Sequence, residues 1–388
     1  MDFFQFRVPT KIVFGVGLAR DFSAELEAIP ATKFIIVTDK VLTDLGLIQP
    51  IVDGLKKAGR EVTAIFNEVP SDSGVQVIEA CAEMAKSSGA EAIIAIGGGS
   101  VLDTAKGANI LFSLGGDLVA DYSGAQTINE DLCPLIAIPT TAGTGSEVTE
   151  AIVIKDENSS NKMSFVDVHL LPTLSVLDPE LTIGLPPKIT AATALDALTH
   201  AIESVMSVQR APVSDALAFQ AVRLIFENAE AAVKNGKDIN ARSQLLVAST
   251  LAGIAFNHSM VGVVHAVAHT VGAMFHVHHG TANGIFLPQG MEYNLDVRTK
   301  EIAALAPSMG ISRSADAHET ALSCIEAVKK FRGRLSQLCG LPISLNEVGV
   351  KKEDLQKIAE KSPDDGASFY NPREVNAEDL LPFLEKAF

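Results

Sequence analysis

The chain has 388 residues, 47% of them apolar and 20% charged, with a formal net charge of −16. That is enough for two globular domains, and such acidity argues against a nucleic-acid or anionic-membrane partner. Four scattered cysteines (Cys81, Cys133, Cys324 and Cys339) form no CxxC pair and read as reduced thiols. No basic stretch precedes an apolar run at the start, and runs such as Ala92–Ile96 are too short to span a bilayer. The expectation is a cytoplasmic protein.

Lys33–Thr38 is a short apolar run rich in β-branched residues and predicts a strand. Leu45–Ala58 follows with helical spacing at Ile48, Ile51, Val52 and Leu55. Glu61–Phe66 predicts the next strand, Val75–Ser87 a helix, Ala92–Ile96 a third strand and Leu135–Ile138 a fourth, with a helix starting at Val101. Ala151–Ile154 and Leu174–Leu177 read as further strands. Strands that are apolar throughout and alternate with helices imply a parallel sheet covered on both faces. The rhythm changes after Asp178-Pro179. Helical patterns follow at 188–206, 212–234, 240–255, 260–274, 315–337 and 375–386. The expected fold is an α/β, Rossmann-like dinucleotide-binding domain over 1–182. An all-α metal-binding domain follows over 183–388, packed directly against the first to leave a cleft.

The strand Ala92–Ile96 runs into Gly97-Gly98-Gly99-Ser100, with Asp103 three residues beyond Ser100. Ser100 as N-cap and Asp103 would form a capping box, and the helix N-terminus behind a glycine turn favours phosphate. A tight turn without a ligand is the plainer reading. The usual GxGxxG fingerprint after the first strand is absent. Asp39, directly after Lys33–Thr38, could accept hydrogen bonds from ribose hydroxyls and repel a 2′-phosphate, or could simply cap a helix. After Leu135–Ile138 comes a polar loop, Pro139-Thr140-Thr141-Ala142-Gly143-Thr144-Gly145-Ser146-Glu147, able to wrap a ligand with O–H and N–H donors.

Six of the nine histidines fall between 258 and 279: His258, His265, His269, His276, His278 and His279. Asp196 and His200 lie four apart in a helical segment, as do His265 and His269, so each pair shares a helix face. His279 follows just past an expected helix end. One carboxylate and three imidazoles could converge from two helices and a loop, a donor set that suits Fe²⁺, Zn²⁺, Co²⁺ or Ni²⁺. Solvated i,i+4 pairs or a pH-sensing patch are the alternatives.

With these motifs in place, the chain resembles the iron-containing (group III) alcohol dehydrogenases over essentially its whole length. The carriers are Gly97–Ser100 with Asp103 and Lys106, the run Pro139–Glu147, Ala194–Glu203, His265–His269, and His279-Gly280 with Asn283. The resemblance implies a dehydroquinate synthase-like fold, with Asp196, His200, His265 and His279 on the metal and His269 beside it in a catalytic role. It implies that Asp39, Gly97, Gly98, Gly99, Ser100, Asp103, Thr140, Thr141, Thr144 and Lys162 contact NAD. It also implies a homodimer or larger homo-oligomer. The expected reaction is hydride transfer between NAD and a small primary alcohol or diol, since no Arg or Lys within the metal motifs would hold an anionic substrate. Rivals are a glycerol dehydrogenase-like or cyclase relative on the same fold, a metal hydrolase, and a non-catalytic metal-binding protein.

Overall fold

The structure, a computed structural model, describes residues 3–155 and 162–388. It divides into two compact units. One comprises Val8–Thr141 and Ser146–Thr182; the other comprises Ile183–Phe388 together with Met1–Arg7 and Ala142–Gly145.

The first unit runs β1 (Lys11–Phe14), β2 (Lys33–Val37), α1 (Lys40–Asp44), α2 (Gln49–Lys57), β3 (Glu61–Phe66), α3 (Val75–Ser87), β4 (Ala92–Gly97), α4 (Gly99–Leu114) and α5 (Leu118–Tyr122). It continues with β5 (Gly124–Ala125), β6 (Leu135–Pro139), β7 (Ala151–Lys155), β8 (Lys162–Val166) and β9 (Leu174–Leu177). Six strands form one parallel sheet in the order β1-β9-β6-β4-β2-β3. Every residue of β4 and β6 is buried, which explains why neither alternates polar and apolar. Successive side chains feed opposite faces. Ile35, Val37, Ile93 and Ala95 pack with Cys81 and Leu102, while Phe34, Ile36, Ile94 and Ile96 pack with Ile51 and Leu55.

The helix expected over Leu45–Ala58 is α2 and begins only at Gln49, because Gly46 adopts a left-handed turn (φ 71°) that separates it from α1. The Ser100–Asp103 capping box does not form. Gly98 is the N-cap of α4, Ser100 lies inside the first turn, and its hydroxyl donates to the Ser71 carbonyl at 2.7 Å. The strand β7 joins β5 and β8 in a separate three-stranded sheet. That sheet is tied to α4 by a half-buried carboxylate and a buried ammonium. Asp103 accepts from Ser146 Oγ (2.8 Å) and the Val153 amide (3.1 Å). Fully buried Lys106 donates to the carbonyls of Thr149 (2.7 Å) and Ala151 (3.2 Å).

The second unit has no strand among its described residues. Its helices are α6 (Pro187–Met206), α7 (Pro212–Lys234), α8 (Ile239–Ser259), α9 (Val263–Phe275), α10 (His279–Tyr293), α11 (Leu295–Ala304), α12 (Ala317–Cys339), α13 (Leu355–Lys361) and α14 (Ala377–Ala387). In α6 every residue from Thr190 to Met206 is buried, so it is the central rod of this unit. The sequence pattern missed α10, which contains Gly280, Gly284, Gly290 and Pro288, all weak helix formers. Burial on every side holds it instead. Among the described residues no single helix is long and apolar enough to cross a membrane.

Lys106→Met retains the stem of the side chain but strips two buried carbonyls of their donor. It is expected to lower unfolding free energy by about 2–4 kcal/mol in urea titration, with the loss of an ionic hydrogen-bond network as its cause. An unchanged midpoint would show that Lys106 does not hold β7 to α4.

Candidate functional site

In the helical unit, α6 presents Asp196 and His200 one turn apart, both buried. His265 stands on the first turns of α9, and His279 is the first residue of α10. His279 is therefore supplied by a helix start, not by a loop past a helix end, and three helices meet here instead of two. One donor atom from each of the four side chains lies within 4.8 Å of the others. His200 and His265 stack with ring centroids 4.7 Å apart, and Asp196 Oδ1 lies 3.4 Å from His279 Nε2.

The outer nitrogens of two rings are already assigned by their neighbours. His265 Nδ1 lies 2.5 Å from Glu203 Oε2, and His200 Nδ1 lies 3.3 Å from the Gly143 carbonyl. Each contact makes Nδ1 the protonated nitrogen and leaves the Nε2 lone pair facing the cluster. Asn283 Nδ2 sits 2.7 Å from Asp196 Oδ1 and 3.1 Å from both His265 Nε2 and His279 Nε2, while its own Oδ1 is buried without a partner. One amide NH₂ has two protons for three acceptors. Such an excess of inward lone pairs in a buried site is the environment a cation satisfies. The oxygen-and-nitrogen donor set fits a divalent transition metal.

The polar loop 139–147 has a second use beyond wrapping a ligand. Its residues Ala142–Gly145 belong to the helical unit. A Cβ at Gly143 would stand 2.8 Å from Thr193 Cβ, and one at Gly145 (φ 64°) would stand 2.6 Å from Gly253 Cα. Only glycine permits this approach, and the approach delivers the Gly143 carbonyl to His200.

Beside the cluster, His269 Nδ1 lies 2.9 Å from Asp365 Oδ2, and the His269 ring stacks on His279 at 5.2 Å between centroids. Burial favours protonation of Asp365, but the charge and hydrogen bond of His269 outweigh it, so its carboxyl sits below the ordinary range. Sequence reading found His269 but not Asp365, nearly a hundred residues away, nor the partners Glu203 and Gly143. Phe256 stacks on His200 at 4.2 Å and supplies an apolar wall.

In the α/β unit, Asp39, Gly97–Gly99, Thr140 and Thr141 gather at the carboxyl ends of adjacent parallel strands β2, β4 and β6. This is where open α/β sheets bind ligands. Asp39 caps α1, accepting from the Leu42 amide at 2.9 Å. A Cβ at Gly97 would lie 2.5 Å from Val101, so that glycine has a packing reason of its own. Lys162 opens β8; its side chain lies outside the described residues.

Burial pushes His200 down to about 4 and His265 down to about 3, so both rings are neutral near pH 7. Burial pushes the Glu203 carboxyl up to about 7, against the amides of Gly262, Val264 and His265. In metal-free protein each imidazole contributes stability that is present above its unfolded value of 6.5 and lost as pH falls toward its folded value. Glu203 has the opposite sign, contributing below 4.5 and losing that contribution as pH rises through about 7. Between pH 6.5 and 4.5 two imidazoles oppose one carboxyl, a net loss on acidification. The thermal midpoint of chelator-treated protein is expected to fall across that window, and less steeply in His200→Gln. Equal slopes would contradict these protonation states.

Residues 9–179 match the family described as "Iron-containing alcohol dehydrogenase", and residues 190–388 match "Fe-containing alcohol dehydrogenase family, C-terminal". The chain is 35% identical to the NAD-dependent methanol dehydrogenase of Bacillus methanolicus, over 98% of this chain and 99% of that protein. It is 37% identical to the 1,3-propanediol dehydrogenase of Klebsiella pneumoniae, over 99% of each. A crystal structure of a 1,3-propanediol oxidoreductase superimposes with a TM-score of 0.94 at 36% identity, covering 100% of both chains. With both units matched and the donor cluster assembled, the chain belongs to the iron-containing alcohol dehydrogenase family and is an alcohol dehydrogenase.

Proposed function

We propose that this protein interconverts a small primary alcohol or short diol and its aldehyde, using NAD and a divalent metal held by Asp196, His200, His265 and His279. The observation that carries the reading is the convergence of those four donors within 4.8 Å of one another, three of them buried. A bound divalent ion there supplies Lewis acidity, lowering the pKa of an alcohol hydroxyl or polarising an aldehyde carbonyl. The family and the donor set support Fe²⁺. Zn²⁺ binds the same atoms more tightly in general, so occupancy by iron reflects supply.

NAD, the oxidant of the alcohol direction, supplies a hydride acceptor at its nicotinamide ring. The α/β unit offers it a phosphate site at Gly97, Gly98, Gly99 and Ser100, where α4 begins without a side-chain cap from its N-cap Gly98. Thr140, Thr141 and Thr144 add hydroxyls. Asp103 supports this loop through Ser146, and Lys162 is carried over from the family as a ribose neighbour. The Asp39 carboxylate keeps its second oxygen for ribose hydroxyls, and its charge disfavours a 2′-phosphate.

His269 moves the proton. Its Nδ1 is held by Asp365, which leaves Nε2 to accept a proton in oxidation and return it in reduction. Phe256 and the absence of Arg or Lys in the metal motifs favour a neutral substrate. Four free thiols support a cytoplasmic location. The family resemblance supports a homodimer or larger homo-oligomer.

Chelation should abolish NADH formation from ethanol, 1-propanol and 1,3-propanediol, and Fe²⁺ or Zn²⁺ should restore it. Turnover that survives complete metal removal would defeat the metal assignment, and no turnover of any alcohol or aldehyde by the loaded protein would defeat the substrate class. His269→Ala should lower kcat about 10²-fold and shift its pH profile, in the range typical for a lost proton-transfer group. An unaltered rate and profile would remove His269 from the proton path.

A further inference from the structure

Glu203 is a buried carboxylate that the proposed chemistry does not use. Its side chain is 1% exposed. It follows Asp196 and His200 on α6 at the i+7 position, on the same side of the rod. It accepts from the Val264 amide (2.7 Å), the His265 amide (3.3 Å) and His265 Nδ1 (2.5 Å), and also from the Gly262 amide. The helix α9 has no side-chain cap from its own N-cap residue, Gly262. Glu203 therefore does from another helix what an N-cap side chain does locally, and in the same contact fixes a ring.

The packing around it leaves little freedom. A Cβ at Gly262 would lie 2.7 Å from Asn371 Oδ1 and 3.3 Å from Glu203 Oε1. Asn371 Oδ1 takes the neighbouring Val263 amide at 3.2 Å. Two side chains thus divide the orphan amides of one helix start, and only Glu203 also reaches the imidazole.

We propose that Glu203 is a positioning residue for the metal. It holds His265 as the Nδ1–H tautomer, orients its Nε2 lone pair into the cluster and raises the basicity of that nitrogen. The inference rests on the metal reading above. Outer carboxylates of this kind are general partners of metal-bound imidazole, and their loss typically costs 10–100-fold in affinity. A merely structural cap would stabilise α9 without changing affinity for the ion.

The test compares three full-length proteins by Zn²⁺ competition against a chromophoric chelator, with thermal midpoints of the metal-free forms measured in parallel. Asn371→Ala loosens the same helix start without touching His265; its midpoint should fall while its Kd for Zn²⁺ stays within about threefold. Glu203→Gln should raise that Kd about 10–100-fold. Equal Kd shifts in the two variants, or none in Glu203→Gln, would overturn the proposal while leaving the metal site intact. Failure of wild-type protein to bind one Zn²⁺ per chain would instead overturn the metal reading. Should Glu203→Gln not fold, histidine-selective ¹⁵N NMR of metal-free wild type at pH 8 decides. A His265 Nδ1–H resonance is expected, and an Nε2–H tautomer would refute the proposal.

Discussion

The structure depends on holding one buried carboxylate and three imidazoles with their lone pairs turned toward each other. Such an arrangement is unfavourable in isolation, because buried acceptors without donors lose their hydration and gain nothing. The helical unit offsets that cost by rigidity. Asp196 and His200 ride on α6, buried from Thr190 to Met206, and cannot swing away without moving the rod. His265 is tied by Glu203, and His200 by the Gly143 carbonyl. What remains is a cluster of four oxygen and nitrogen donors within 4.8 Å of one another, an arrangement that suits a cation. The stability of the site and its capacity to bind are consequently one property.

Much of this was legible in the sequence. The strands β4 and β6, and β2 after Lys33, announced themselves because a doubly covered parallel strand is apolar at every position. Asp196 with His200, and His265 with His269, were visible through the one periodicity that survives without coordinates, the helix turn. Hidden were features whose cause is tertiary. The edge strand β1 has only four residues, two exposed and two half-buried, and exists through pairing with β9. The helix α10 carries three glycines and a proline that local preference counts against it, so His279 read as a loop residue. Glu203 lay inside a motif that had been quoted, yet nothing in its spacing reveals that it serves a ring 62 residues away. Asp365 reaches His269 across 96 residues, a separation at which sequence patterns carry no information.

The glycine-rich stretches also changed meaning. Read as composition, both offer space for a ligand. In the structure Gly97 gives room to Val101, and Gly143 and Gly145 give room to Thr193 and Gly253. Space for protein and space for a nucleotide are not alternatives, since close packing behind a turn is what keeps its amides fixed in front. The failed Ser100 cap makes the same point. With Gly98 as N-cap, the N-cap residue itself has no side chain to place on the first amides of α4, and Ser100 bonds instead to Ser71.

The helical unit is not a continuous stretch of chain; it includes Met1–Arg7 and Ala142–Gly145 as well as everything after Ile183. During synthesis the tetrapeptide carrying the Gly143 carbonyl leaves the ribosome before the histidine it will hold has been translated. A gene fragment beginning at residue 183 would encode all four donors and still lack the acceptor that sets the His200 tautomer. For modular engineering the natural seam is therefore not a single point in the sequence, and a transplanted metal unit has to bring that short insert with it.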